Sequence, residues 1–454
     1  MDKEKIPFSD LKESIIDRIN RCVPAPKSEG MFIRLEFLTE VSDPLLWLKA
    51  QPNKEKIYFE PRGKDEPAIA GAGSSCPVVP VAEDDLASYF KKLNRFISEG
   101  LICYGGASFV KNQPVENEWR SFNKFNFILP RFEYMIRDKK GYLTVNLGKK
   151  ELKGLNMEAL INEVEALNVD IPHKFEKSVK TEFISYTPNK KDWVNGVTSY
   201  LKKIGTGEIE KIVAARRVDL KTVGEIDPFR VVSDLKKSGD YAANFLFTFN
   251  GSDFFIGSSP ERLFHREGDL LTTESVAGTI SRGSNPVEDE KFGNLLQGSD
   301  KETREHDFVT DDIVSKIDPI CEPIVISERV LLKLANLQHL YRRISGKLKR
   351  GISDGDILEM VYPTPAVCGL PLNKCLTLLR KGEAFQRGWY AGVVGFAGKD
   401  ISDYYVGIRS ILISGKNVFV YSGAGIVAGS DPAKEWDEIE LKTSKYKKIL
   451  KYET

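Results

Sequence analysis

From residue 404 onward the chain alternates apolar and polar side chains in two successive runs, Tyr404-Tyr405-Val406-Gly407-Ile408-Arg409-Ser410-Ile411-Leu412-Ile413 and Val418-Phe419-Val420-Tyr421. A period of two is what a strand with one buried face requires, and it argues against the continuous apolar strands of a parallel core. Helical patterns intervene at 287–297, 303–317, 354–361 and 372–381, with no repeat and no regular strand-helix-strand rhythm. These features predict an α+β fold of large antiparallel sheets packed together and flanked by helices.

The 454 residues suffice for a large core. Residues 8–169 read as a mixed module, with strands at 31–37, 125–129 and 142–146 and helices at 84–96 and 157–167. A polar, Lys-rich connection over 170–191 leads into a helix at 192–204 and marks the main boundary. The expected division is an N-terminal portion, 1–185, packed in the same body as a C-terminal portion, 186–454. Charge is balanced, 66 Lys+Arg against 65 Asp+Glu, and no basic stretch is interleaved with aromatics, so neither nucleic acid nor anionic membrane is expected as a partner. Met1-Asp2-Lys3-Glu4-Lys5 has no apolar segment behind it and no run approaches a transmembrane span, which predicts a cytoplasmic protein. Six cysteines show no CxxC pairing and four histidines no ligand spacing with them. That pattern speaks against zinc, disulfides and a Ser or Cys triad, and the cysteines are expected as small buried hydrophobes.

Chemistry concentrates at the C-terminal end. A strand at 417–425 ends in Gly-Ala-Gly, and the helix after it lines up Glu435, Glu438 and Lys442. Residues three or four apart share a helix face, so two carboxylates and an ammonium would offer a hard-cation site and an anion-binding amine over the glycine turn. The same spacing also describes a solvated helix face. Gly423-Ala424-Gly425-Ile426-Val427-Ala428 fits a permissive dinucleotide fingerprint, but the second parallel strand and the acid about twenty residues on are missing, because the chain runs into a basic helix at 442–452. Five further segments place polar groups beside glycines or at element ends: Glu210-Lys211-Ile212-Val213-Ala214-Ala215-Arg216, Ile256-Gly257-Ser258-Ser259-Pro260-Glu261, Glu274-Ser275-Val276-Ala277-Gly278-Thr279, Lys301-Glu302-Thr303-Arg304-Glu305-His306, and residues 362–371. Taken singly, Lys211 reads as a snorkelling lysine, Glu261 as a turn acid and Glu305 as a solvated one.

In combination and in this order, these segments resemble the chorismate-utilising, anthranilate synthase component I-like enzymes, and within them the isochorismate synthases. Members look like Lys-Val-Val-Leu-Ala-Arg, Gly-Ser-Ser-Pro-Glu, Glu-x-x-Ala-Gly-Thr, Lys-x-x-x-Glu-His, Pro-Thr-Pro-Ala-Val-x-Gly-x-Pro and Gly-Ala-Gly-Ile-Val with Glu-Trp-x-Glu-x-x-x-Lys. The likeness is strong over 192–446, and Asp43-Pro44-Leu45-Leu46-Trp47-Leu48 extends it. The resemblance implies the chorismate-utilising fold, an Mg-dependent isomerisation of chorismate to isochorismate, Lys211 as general base on water and Glu261 as general acid on the departing hydroxyl. Such a pair must be uncharged near neutral pH, which desolvation favours. The resemblance further implies Glu305 and Glu438 as Mg2+ ligands with Glu435 holding a coordinated water, and Gly278, Thr279, Tyr390, Arg409, Gly425 and Lys442 as substrate-binding residues. His339 lies in a matching segment and reads equally as a packed helix histidine.

Within the family, Lys211 stands where the ammonia-using anthranilate synthases resemble glutamine, so no glutamine amidotransferase subunit is expected. Ala277 stands where aminodeoxychorismate synthases resemble a nucleophilic lysine. Salicylate synthases, which go on to eliminate pyruvate, keep the base lysine, and Pro363-Thr364-Pro365-Ala366-Val367 resembles the isochorismate form. Two departures, Tyr362 for the usual His and Cys368 for the first glycine of a pair, bear on the shape of that turn. A non-catalytic chorismate-binding regulator remains the alternative class. Isochorismate feeds menaquinone and siderophore or salicylate synthesis, and Asp43 to Leu48 leans toward the menaquinone type; a monomer or homodimer is expected.

Overall fold

The computed structural model describes residues 5–22, 30–63, 66–77, 85–110, 115, 117–175, 180–237, 241–333 and 337–453. Among them run twenty strands and eleven α-helices, and every strand ladder is antiparallel. One series of pairings runs Thr181–Thr187, Lys211–Thr222, Asn417–Val427, Ser410–Ser414, Asp253–Ser259, Ala243–Thr248, Lys56–Glu60, Ile69–Pro77, Phe125–Arg137. A second runs Phe125–Arg137, Cys103–Ala107, Val393–Ala397, Ile401–Val406, Arg262–Glu267, Leu270–Ser281, Leu337–Leu348. Phe125–Arg137 belongs to both. Pro130, which has no N–H to donate, stands past the last residue that pairs with Cys103–Ala107.

The alternation over 404–413 does not make one strand. Ile401–Val406 pairs in the second series and Ser410–Ser414 in the first, and Gly407 to Arg409 is the crossing between them. Arg409 takes φ +48°, rare for a residue with a Cβ. A Cβ on Gly407 would stand 2.4 Å from the Trp389 carbonyl oxygen, so the crossing needs glycine there. His339, read as a packed helix histidine, lies instead on the strand Leu337–Leu348, opposite Thr279. Elsewhere the expected elements appear with shifted ends. The strand at 125–129 continues to Arg137, 417–425 to Val427, and the helix at 303–317 starts at Asp300. The helix expected at 84–96 is Leu86–Ile97, capped by Asp85; Asp84 lies outside the described residues.

Strands on either side of the 185/186 division are paired with each other: Lys56–Glu60 with Ala243–Thr248, and Cys103–Ala107 with Val393–Ala397. The larger hydrophobic core draws on both portions. At its centre Trp119, Phe122, Phe255 and Trp389 pack edge to face at centroid distances of 5.3 to 6.3 Å, the geometry that ring quadrupoles favour. Among the described cysteines none is disulfide-bonded; Cys103, Cys321, Cys368 and Cys375 are buried and Cys22 is half-buried. No described helix is long and apolar enough to cross a membrane.

Candidate active site

Lys211 opens the strand Lys211–Thr222 and is paired with Val427 on one side and Leu370 on the other. Its side chain lies across Gly425, where a Cβ would stand 3.2 Å from Lys211 Cε and 3.8 Å from Nζ. The backbone approach on the other side also depends on glycine. Gly369 has φ +126°, and a Cβ there would meet the Lys211 carbonyl oxygen at 2.3 Å.

Glu261 follows the strand Asp253–Ser259. Its N–H donates to Ser259 Oγ (3.3 Å), and its carbonyl accepts from Val406 N (3.0 Å). Burial pushes its carboxyl from 4.5 up to about 7, opposed by the charge of Lys211 and by the Thr364 hydroxyl. Thr364 Oγ1 is buried and has no other partner. Among the described residues no direct ion pair joins Lys211 to Glu261, so the acid rests on desolvation rather than on a salt bridge that would keep it ionised.

The turn carrying Thr364 is held from several directions. Tyr362, the residue that departs from the usual His, is buried and donates its hydroxyl to the Ser108 carbonyl at 2.6 Å, anchoring the turn to the N-terminal portion. The buried Arg387 donates to the carbonyls of Val367 (2.8 Å) and Val213 (2.7 Å) and pairs with Glu383, tying the turn to the lysine's strand. The carbonyl of Cys368 accepts from Val213 N at 3.0 Å, and its thiol is fully buried.

A second cluster surrounds Gly423. The Tyr390 ring stacks on Tyr421, centroids 5.1 Å apart, and a Cβ on Gly423 would stand 3.0 Å from the Tyr390 hydroxyl. Burial pushes Tyr390 up to about 12, opposed by Arg387, which keeps it a neutral hydrogen-bond donor. Lys442 Nζ donates to the Gly423 carbonyl (3.0 Å) and pairs with Glu438 Oε1 (2.5 Å). The Arg409 carbonyl accepts from Ser258 N (3.0 Å) and from the Tyr446 hydroxyl, and Arg409 Nη1 reaches the Lys442 carbonyl at 3.4 Å. Lys442, Glu438 and Glu435 share the helix Pro432–Leu450, which starts where Asp431 caps the N–H groups of Ala433 and Lys434 and Pro432 presets the first turn. The helix is clasped to the sheet by Arg216, fully buried, which pairs with Glu440 and lies 4.5 and 4.4 Å from the ring centres of Tyr186 and Trp436.

The third group lies on Leu270–Ser281 and the helix Asp300–Ile317. Gly278, φ +67°, forms a bulge in the strand, a feature that re-aims neighbouring groups. Thr279 Oγ1 and the Gly278 carbonyl lie 3.0 and 3.2 Å from His339 Nδ1; burial lowers the pKa of His339 and favours the neutral ring. Glu305 is exposed. Glu302, one turn earlier on the same face, puts Oε2 3.1 Å from where a Cβ of Gly278 would be.

Glu305, Glu435 and Glu438 do not draw their oxygens to within 4.8 Å of one another; among the described residues one set of three does so, Glu66, His265 and Asp403, and it lies elsewhere. The donor chemistry nevertheless suits magnesium. Two helices each offer a pair of carboxylates at i,i+3, and a hard ion that keeps several waters does not need all of them in direct contact. Burial, then the charge of Glu438, raises the pKa of Glu435, the strain a cation would relieve. Sequence reasoning did not single out Glu302, Thr364 or Arg387. The i−3 spacing from Glu305 carried a signal for the first and membership of the 362–371 motif for the second; Arg387 is placed only by the tertiary fold.

The model of the chorismate binding enzyme family matches residues 17–451. The chain is 30% identical to isochorismate synthase MenF of Escherichia coli, covering 97% of this chain and 98% of that protein. It is 32% identical to the Haemophilus influenzae protein of the same name, covering 92% and 91%. Among solved structures it superposes on the menaquinone-specific isochorismate synthase of Escherichia coli with a TM-score of 0.83, 25% identity and coverage of 98% and 99%. Anthranilate synthase component I from Streptococcus pneumoniae shares the fold, with a TM-score of 0.66 at 20% identity over 94% of this chain and 93% of that one. Matched from residue 17 to residue 451 by one model, this chain belongs to the chorismate-binding enzyme family.

Proposed function

We propose that the chain is an isochorismate synthase, an isomerase that converts chorismate to isochorismate by adding water at one ring carbon as hydroxyl leaves another across the allylic system. The observation that carries the chemistry is Glu261, a half-buried carboxyl lifted to about 7 by desolvation, with Lys211 in charge range and not ion-paired to it. A carboxyl of that pKa is protonated in a large fraction of molecules near neutral pH and delivers its proton to the departing hydroxyl, which leaves as water. Lys211 is the base that takes a proton from the attacking water. One water enters and one leaves, so the reaction balances as an isomerisation.

The substrate's two carboxylates call for donors at both ends. Arg409, Lys442 and Tyr390 serve one end, with the Gly425 amide; Gly278 and Thr279 serve the other, with glycines leaving the backbone accessible. Glu305 and Glu438, with Glu435 and Glu302 beside them, would hold Mg2+. When bound, magnesium offsets the charge of a substrate carboxylate and of the glutamates. Lys442, paired with Glu438 here, offers its ammonium to a substrate carboxylate. Use of water removes any need for an ammonia-supplying subunit, and the menaquinone-specific isochorismate synthase of Escherichia coli, whose structure matches 98% of this chain, supports a menaquinone role.

Lys211→Ala and Glu261→Gln should each lower kcat at least about 10²-fold, the usual worth of general acid-base catalysis, while chorismate binding by calorimetry persists. Ordinary turnover in either variant removes the assigned role.

A further inference from the structure

Asp403 is fully buried on the strand Ile401–Val406, and His265 stands directly opposite on Arg262–Glu267. Opposed residues in an antiparallel pair point to the same face. One oxygen of Asp403, Oδ2, accepts from Arg262 Nη2 (3.0 Å) and from the Tyr405 hydroxyl (2.8 Å). The other, Oδ1, is buried with no hydrogen-bond partner, and so is His265 Nδ1. The two orphaned atoms face each other at 3.7 Å, too far for a hydrogen bond. A carboxylate oxygen of Glu66 completes a set whose atoms all lie within 4.8 Å of one another.

We propose that Glu66, His265 and Asp403 form a second cation site, for a divalent transition ion of the zinc class. Two atoms bound about 2.1 Å from a tetrahedral ion lie about 3.4 Å apart, near the observed separation. An imidazole nitrogen with two carboxylates suits zinc or its first-row neighbours and is a poor set for magnesium. Arg262 and Tyr405 orient Asp403 from behind, as groups outside a metal's ligand sphere do, and leave Oδ1 aimed into the site. The site is separate from the proposed acid, because His265 is four residues beyond Glu261, about 13 Å along an extended chain. The ligands come from three distant segments, so local spacing of His and Cys could not reveal them. A bound ion would pin the segment before Ile69–Pro77 to the strand that follows Glu261.

The test is zinc titration of the metal-stripped full chain in excess magnesium, which occupies the hard carboxylate site, by calorimetry and thermal unfolding. The expected result is one zinc per chain and a raised melting temperature, with affinity falling at least about tenfold in His265→Gln and in Glu66→Gln. Both side chains are partly exposed, so the variants should fold; in each, visible cobalt absorption should weaken in parallel. Absence of zinc binding in the parent chain, or affinity unchanged in both variants, overturns the proposal.

Discussion

At the residue scale the account turns on the carboxyl of Glu261. Its folded-state pKa, about 7, lies above the ordinary 4.5, so the fold prefers the protonated form. Stability is therefore undiminished below pH 4.5, falls as pH rises through the interval, and levels off above about 7. That rise is worth about 3 kcal/mol. Glu261→Gln, which keeps the shape and removes the charge, should stabilise the ligand-free chain by up to that amount at about pH 8 and by almost nothing at about pH 4.5. Urea denaturation at the two pH values checks this, and a pH-independent difference would contradict the assigned burial. None of this was legible from Gly-Ser-Ser-Pro-Glu as a local string. The surrounding groups come from distant segments, Lys211, Thr364 and Val406, and family resemblance, not spacing, picked the residue out.

At the scale of elements, the helix Pro432–Leu450 was legible because its start is written in local chemistry, Asp431 before Pro432, and its functional face in a repeat of three and four. What holds it in place was not. Arg216, inside an apolar strand, spans to Glu440 between two aromatic rings. Glu440 is 30% exposed and can hydrate when left alone, so the loss falls mainly on the packing of the fully buried Arg216 side chain, and truncating a large buried side chain typically costs about 2–5 kcal/mol. Arg216→Ala should therefore destabilise the chain by about that much and also blunt the magnesium dependence, since Glu435, Glu438 and Lys442 ride on the helix. A loss below about 1 kcal/mol, measured by urea denaturation, would show that the clasp is incidental. The run 404–413 shows the complementary failure. Strands did form on both sides of Arg409, but each is buried on both faces rather than on one, and periodicity carries no information about a chain that leaves one series of strands and enters another.

For the whole molecule, fold class followed from alternation and the absence of a parallel rhythm, whereas the strand order did not, because antiparallel partners are chosen by packing across the entire chain. The pairing of Lys56–Glu60 and Cys103–Ala107 with C-terminal strands gives the N-terminal portion a structural duty. Residues 186–454 expressed alone would expose the edges of Ala243–Thr248 and Val393–Ala397, a template for aggregation. That fragment should be insoluble or lack a cooperative thermal transition, and a cooperative transition in the isolated fragment would contradict the interleaved architecture. The central claim concerns chemistry, and product analysis of the intact chain tests it most directly. Purified protein incubated with chorismate, with magnesium or with chelator, and resolved by chromatography should yield isochorismate without pyruvate only when the metal is present. Salicylate with pyruvate, or chorismate bound but unchanged, would contradict it.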